Sequence, residues 1–217
     1  MLRFELKKSN QGPLNILCLG AHSDDIEIGC GGTLLRLIRE NSDLCLTWVV
    51  FSAVGSRAEE AQKSATKFLK DVREQQVILH DFRDGYFPSQ QAAIKDIFED
   101  LKSKTSPDLI FTHYQQDLHQ DHRQLCELTW NTWRDHCILE YEIPKYDGDL
   151  GSPNFFVTLE DDVRERKIEL LMRFFQTQAN KHWFSPETFN AILRIRGIES
   201  KSPSGYAEAF YGRKLSF

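Results

Sequence analysis

Residues 15–33 read Asn15-Ile16-Leu17-Cys18-Leu19-Gly20-Ala21-His22-Ser23-Asp24-Asp25-Ile26-Glu27-Ile28-Gly29-Cys30-Gly31-Gly32-Thr33, and the chain changes character at Ala21. Up to that point it is a short apolar run without polar alternation, the pattern of a strand buried on both faces of a parallel sheet. Beyond it come a histidine and three acids, then glycines, then the apolar face of a helix at Leu34, Leu37 and Ile38. Working outward, the same strand signature returns at residues 45–52, 76–80, 109–113 and 138–143. Between these runs, Ala61, Ala65, Phe68, Leu69 and Val72, and then Ile94, Ile97, Phe98 and Leu101, repeat at helical spacing.

Strands alternating with helices over short connections predict a Rossmann-like α/β fold, a mainly parallel sheet with helices on both faces. The final third is less regular. It carries a strand signature at 155–159, a helix at 161–178 with Ile168, Leu171 and Phe175 inward, and a helix at 186–195 opened by Ser185-Pro186. We expect this part to form a capping region of one domain spanning residues 1–217.

Composition narrows the function. The formal net charge of −5 offers no basic surplus for a nucleic-acid partner. The basic groups at Lys7-Lys8 and Arg164/Arg166/Lys167 read as solvated surface. No apolar run approaches the ~18 residues of a membrane span, and the first eight residues have no signal-peptide core. Five cysteines, odd in number and without a C-x-x-C pair, suit a reducing compartment, so a cytoplasmic protein is expected.

Two polar clusters follow two of the expected strands, at the strand ends where such sheets bind ligands. In the first, charged groups placed straight after a buried strand need partners or a cation, because desolvating them unpaired costs several kcal/mol. One imidazole with one or two carboxylates suits zinc. The glycines at 29, 31 and 32 suggest a tight turn into a helix over 34–39. A dinucleotide site is excluded, since G-x-G-x-x-G is absent and the acids would repel a pyrophosphate. A plain polar turn with a capped helix remains the alternative.

The second cluster is His113-Tyr114-Gln115-Gln116-Asp117-Leu118-His119-Gln120-Asp121-His122-Arg123. His122 offers a second nitrogen ligand. Asp121 lies two residues from His119, and a carboxylate paired with an imidazole fixes its tautomer and raises its basicity. His113, at a strand end, is left open as a supporting residue, while His80, His136 and His182 read as ordinary structural or surface histidines.

Together, Ala21-His22-Ser23-Asp24-Asp25-Ile26-Glu27 and His119-Gln120-Asp121-His122 resemble the LmbE-like, or PIG-L, zinc-dependent de-N-acetylases, whose signatures are A-H-P-D-D-x-E and H-x-D-H. Weaker matches at Arg57-Ala58-Glu59-Glu60, Asp84-Gly85, Tyr141-Glu142, residues 176–178 and Tyr206-Ala207-Glu208-Ala209-Phe210 extend the likeness along nearly the whole chain. The resemblance implies that His22, Asp25 and His122 hold Zn2+, with Fe2+ or another divalent ion compatible with the same donors. It implies Asp24 as general base, and a protonated His119 backed by Asp121 as oxyanion stabiliser. Arg57 falls where the family places a substrate-contacting arginine. Ser23 replaces the family's proline, which predicts a looser turn.

The function so implied is hydrolysis of an N-acetyl or other N-acyl group on a small-molecule amino sugar, with homo-oligomers compatible with the sequence. Two alternatives stand beside it. One is a zinc amidase acting on a non-sugar substrate, and the other is a non-catalytic homologue, which predicts a missing ligand or base where none is missing.

Overall fold

The computed structural model describes residues 12–215, so the Lys7-Lys8 pair and the reading of the first eight residues lie outside it. Five parallel strands form most of the sheet: β1 (Leu14–His22), β2 (Leu44–Ser52), β3 (Glu74–Leu79), β4 (Leu109–His113) and β5 (Cys137–Tyr141). Two more complete it, β6 (Phe155–Thr158) and β7 (Ala207–Gly212), with β7 antiparallel to both β5 and β6. The order across the sheet is β3-β2-β1-β4-β5-β7-β6. The expected Rossmann-like arrangement is therefore present.

Its helices lie on two faces, as the split of the core shows. Along β1, Ile16 and Cys18 pack with α1 (Asp25–Glu40), α2 (Ser56–Phe68), α5 (Asp161–Phe174) and α6 (Pro186–Glu199). The intervening Leu17, Leu19 and Ala21 pack with α3 (Gln91–Lys104) and α4 (Gln120–Thr132). A strand with apolar partners above and below cannot alternate, which is why the run at 15–21 is unbroken. Among the described residues no helix is long and apolar enough to cross a membrane, and all five cysteines are free.

Three details differ from the sequence reading. Helix α1 begins at Asp25, so Gly29, Gly31 and Gly32 lie inside it and form no turn. Two of them allow close approach: a Cβ on Gly29 would sit 2.2 Å from Tyr141 Cδ2, and one on Gly32 would sit 2.6 Å from Leu159 Cδ1. Helix α5 stops at Phe174, because Phe175 leaves helical geometry to bury its ring, and a 3₁₀ turn follows at Gln176–Gln178. The C-terminal third does more than cap, since β6 and β7 extend the main sheet.

The sheet order reverses about β1 and β4. On one side lie β2 and β3, and on the other lies β5. The loops leaving β1 and β4 therefore diverge to opposite sides of a crevice at the carboxyl ends of these adjacent strands. Both polar clusters open into it.

Candidate metal centre

His22 closes β1, Asp25 opens α1, and His122 lies in the first turn of α4. Three of their atoms converge. His22 Nδ1 lies 3.2 Å from Asp25 Oδ2 and 3.2 Å from His122 Nε2, and the latter two are 3.5 Å apart. Donors bound tetrahedrally at about 2.1 Å stand about 3.4 Å from one another. A proton can bridge one pair of these atoms but not all three, whereas a divalent ion at the centre satisfies every contact. The donor set thus fits zinc in size and in chemistry.

The electrostatics favour the ligating form at two of the three donors. Burial opposes ionisation of Asp25, yet His122, His113 and His22 around it hold its pKa well below the ordinary value. Burial likewise disfavours a charged His22, but Asp25, Asp121 and Asp84 outweigh it and raise that pKa well above normal. His122 is lowered to about 3, chiefly by burial and then by neighbouring His113. The protein's own groups leave His122 neutral and Asp25 ionised, as ligation requires.

Each histidine donor has a carboxylate behind it, the arrangement that orients metal-bound imidazoles and raises their basicity. His122 Nδ1 lies 2.9 Å from Asp117 Oδ2. The buried Lys145 stands 3.0 Å from that same oxygen. Asp117 Oδ1 also accepts the His119 N–H at 2.8 Å. On the other side, His22 Nε2 faces Asp84 Oδ1 at 3.0 Å and Asp121 Oδ2 at 3.5 Å. Sequence reasoning gave no role to Asp117 or Asp84. Asp117 was within sight, a carboxylate five residues before the expected ligand His122, while Asp84 was marked only by the weak Asp84-Gly85 match.

His113 supports the site. The Ala21 N–H donates to His113 Nε2 at 2.9 Å, which occupies the lone pair a metal would use. The same nitrogen lies 3.2 Å from Asp25 Oδ2, and the His113 ring stacks on His122 at 3.9 Å between centroids. Behind it stands Tyr141, 4.8 Å from the His113 ring, with its hydroxyl donating to the Leu19 carbonyl. Tyr141 therefore wedges α1, β1 and β4 at fixed spacing, a role no local sequence signal reveals.

Asp24 stands at the N-terminus of α1. Its Oδ1 accepts from Arg57 Nη2 at 2.7 Å, so Arg57, near the start of α2, is brought into the site. Burial raises the Asp24 pKa, against the pull of Arg57. Ser23 is fully buried, with its hydroxyl 3.5 Å from the Ser52 carbonyl.

His119 caps α4, its ring centroid 4.9 Å from that of His22 and 4.6 Å from that of His122. Its contact with Asp121 differs from the expected dyad. His119 Nδ1 accepts the Asp121 backbone N–H at 3.3 Å, while the Asp121 carboxylate accepts from Gly85 and Phe87 N–H at 2.6 and 3.1 Å. Asp121 thus anchors the 84–87 segment beside His22. With Nδ1 accepting, the ring proton of His119 belongs on Nε2. Burial, then the neighbouring His22, lowers the His119 pKa from its ordinary value.

Known proteins share this fold. A Pyrococcus horikoshii N,N'-diacetylchitobiose deacetylase shares the fold with a TM-score of 0.72, over 92% of this chain and 84% of its own, at 20% identity. So does a 4-carboxy-2-hydroxymuconate hydratase of Pseudomonas putida, with a TM-score of 0.68 over 94% and 97% of the two chains at 15% identity. One fold here carries different chemistries, so likeness at this level concerns architecture alone. In sequence, the chain is 30% identical over 138 residues to the uncharacterized deacetylase YaiS of Escherichia coli K12, covering 59% of this chain and 74% of that one. Residues 17–133, from within β1 to the end of α4, match the PIG-L model, GlcNAc-PI de-N-acetylase. With both polar clusters inside that match, the chain belongs to the PIG-L family of de-N-acetylases.

Proposed function

We propose that this protein removes the acetyl group from the nitrogen of a small amino sugar, using Zn2+ held by His22, Asp25 and His122. The observation that carries this reading is the triangle of three donor atoms with edges of 3.2, 3.2 and 3.5 Å. A divalent ion bound there supplies Lewis-acid chemistry and makes a water nucleophilic near neutral pH.

The protein's residues do the rest. Asp24, buried at the head of α1, accepts a proton from the attacking water and returns it to the departing amine, acting as base and then acid. His119 offers its Nε2–H to the acyl oxygen as charge develops there. A donor so placed contributes roughly 3–4 kcal/mol at the transition state. Arg57 is partly exposed, with a 25% accessible side chain, so it can hold Asp24 with one nitrogen and meet the substrate with another. Asp121 and Asp84 orient His22, and Asp117 orients His122. The free state of all five cysteines supports a reducing setting, the cytoplasm, for this reaction.

The test pairs elemental analysis of the purified protein with acetate release from N-acetyl amino sugars, sugar nucleotides and non-sugar acyl amines. One bound divalent ion per chain and turnover confined to the sugars is the expected result. Turnover of acyl amines alone would replace the sugar with another acyl carrier, and a protein without metal affinity would refute the reading.

A further inference from the structure

Helix α1 carries Asp25 in its first residue and Asp24 just before it, yet its position is fixed by groups far away in the chain. Lys167 of α5, expected from the sequence to be solvated, is instead almost fully buried, as is Glu208 of β7, with Lys167 Nζ and Glu208 Oε1 2.6 Å apart. Both engage the backbone of α1. Lys167 Nζ donates to the Ile28 carbonyl at 2.6 Å. The Glu208 carboxylate accepts from the Gly32 and Thr33 N–H groups at 2.7 and 2.6 Å.

In a regular α-helix the Ile28 C=O and the Gly32 N–H would be partners in one i to i+4 hydrogen bond. Each end is held by one member of an ion pair from outside the helix. Gly32 makes this access possible, since a Cβ there would lie 2.9 Å from Glu208 Oε1. One residue connects the pair to the proposed base: the Ile28 N–H donates to the Asp24 carbonyl at 3.0 Å, while the Ile28 carbonyl receives Lys167.

Burying two charges is a costly way to pack a helix, and apolar side chains of similar volume often serve as well or better. What an ion pair adds is direction, because a carboxylate fixed on two adjacent N–H groups sets both the rotation and the axial position of the helix. We propose that Lys167 and Glu208 are positioning residues. They are spliced into α1 to hold its first turn, and with it Asp24 and Asp25, in register with His22 and His122. The inference rests on the metal-site reading above.

The test uses Glu208→Gln, Lys167→Met and the double variant. Zn2+ affinity is measured by chelator competition, the Co2+ visible spectrum reports ligand geometry, and thermal melting is followed alongside. Each single variant leaves a buried charge unpaired and should melt lower. The double variant has none and should recover much of the lost melting temperature. Its Zn2+ affinity is nevertheless expected to stay about tenfold or more below wild type, the range seen when supports of metal ligands are removed. Its Co2+ bands should shift, and kcat should fall more than KM changes.

Wild-type affinity and an unshifted spectrum in the double variant would overturn the proposal, as would affinity that merely follows melting temperature across the three proteins. Should the double variant fail to fold, Gly32→Ala serves, because its methyl crowds the carboxylate as well as Leu159 while keeping both charges. Unchanged Zn2+ affinity in that folded variant refutes the inference. A wild-type protein that binds no metal refutes the underlying reading, and this inference with it.

Discussion

Placing a methyl group on Gly29 tests how tightly the candidate site is built. In Gly29→Ala the new Cβ would lie 2.2, 2.4 and 2.9 Å from Cδ2, Cγ and Cβ of Tyr141. Carbon atoms in contact normally stand about 3.5–4.0 Å apart, so the overlap at the nearest ring atom exceeds an ångström. Tyr141 has no room to withdraw. It is fully buried, its hydroxyl donates to the Leu19 carbonyl at 2.7 Å, and its ring lies against His113. Overpacking of this kind costs about 1–3 kcal/mol, and contact with three fixed atoms puts this case at the upper end. Replacing glycine by alanine inside a helix returns about 1 kcal/mol. The net loss is then about 2 kcal/mol, or roughly 4–8 °C of melting temperature for a chain of this size.

Gly31→Ala is the control, with the same propensity gain. Its methyl meets Phe68 Cε1 at 3.0 Å and Cζ at 3.3 Å, contacts that a small ring shift relieves, and Lys167 Cγ at an ordinary 3.8 Å. It should melt near wild type or slightly above. Scanning calorimetry with and without Zn2+ reads both variants, and the stabilisation by Zn2+ should shrink in Gly29→Ala alone. If Gly29→Ala melts with wild type, or if Gly31→Ala is the more damaged protein, the close-approach argument is wrong.

Further expectations concern the metal and the proposed base. Asp24→Asn should bind Zn2+ normally while turnover falls about 10²–10⁴-fold; parallel metal analysis and acetate assays separate the two, and full turnover removes Asp24 from the mechanism. Asp25→Asn and His122→Ala should instead lose the ion itself, visible by elemental analysis without any substrate. Asp117→Asn should weaken Zn2+ binding about 10–100-fold by freeing the His122 ring, and unchanged affinity would count against that support. Without metal, Asp25, Asp121 and Asp84 outweigh the burial of His22, raise its pKa well above the ordinary value and favour its protonated form. Metal uptake must expel that proton, so affinity should rise with pH up to the raised His22 pKa and fall below it. Calorimetry in buffers of different ionisation enthalpy counts the proton released, and a count of zero at pH 7 contradicts the assignment.

What could be read from the sequence was whatever is encoded close to where it acts. The run at 15–21 is apolar because β1 has partners on both faces, and the donors follow it because strand ends are where this fold leaves chemistry accessible. His122 could be joined to His22 across a hundred residues because sheet topology supplies the proximity that sequence lacks. The glycines of α1 were misread for the complementary reason. Locally, three glycines signal a turn; the partners of Gly29 and Gly32, Tyr141 and Glu208, lie on β5 and β7, and only tertiary contact reveals that a Cβ has no space at those two positions. Asp121 illustrates the same limit at smaller scale, since its separation from His119 suggested a dyad, whereas its carboxylate is turned to the 84–87 backbone. Glu208 is the extreme case. The weak family match at residues 206–210 gave it no role, and its binding partners are backbone N–H groups 176 and 175 residues away that carry no side-chain signature at all. A motif search can therefore find the atoms that would touch a metal, but not the backbone contacts that decide whether they meet at 3.2 Å or fail to meet.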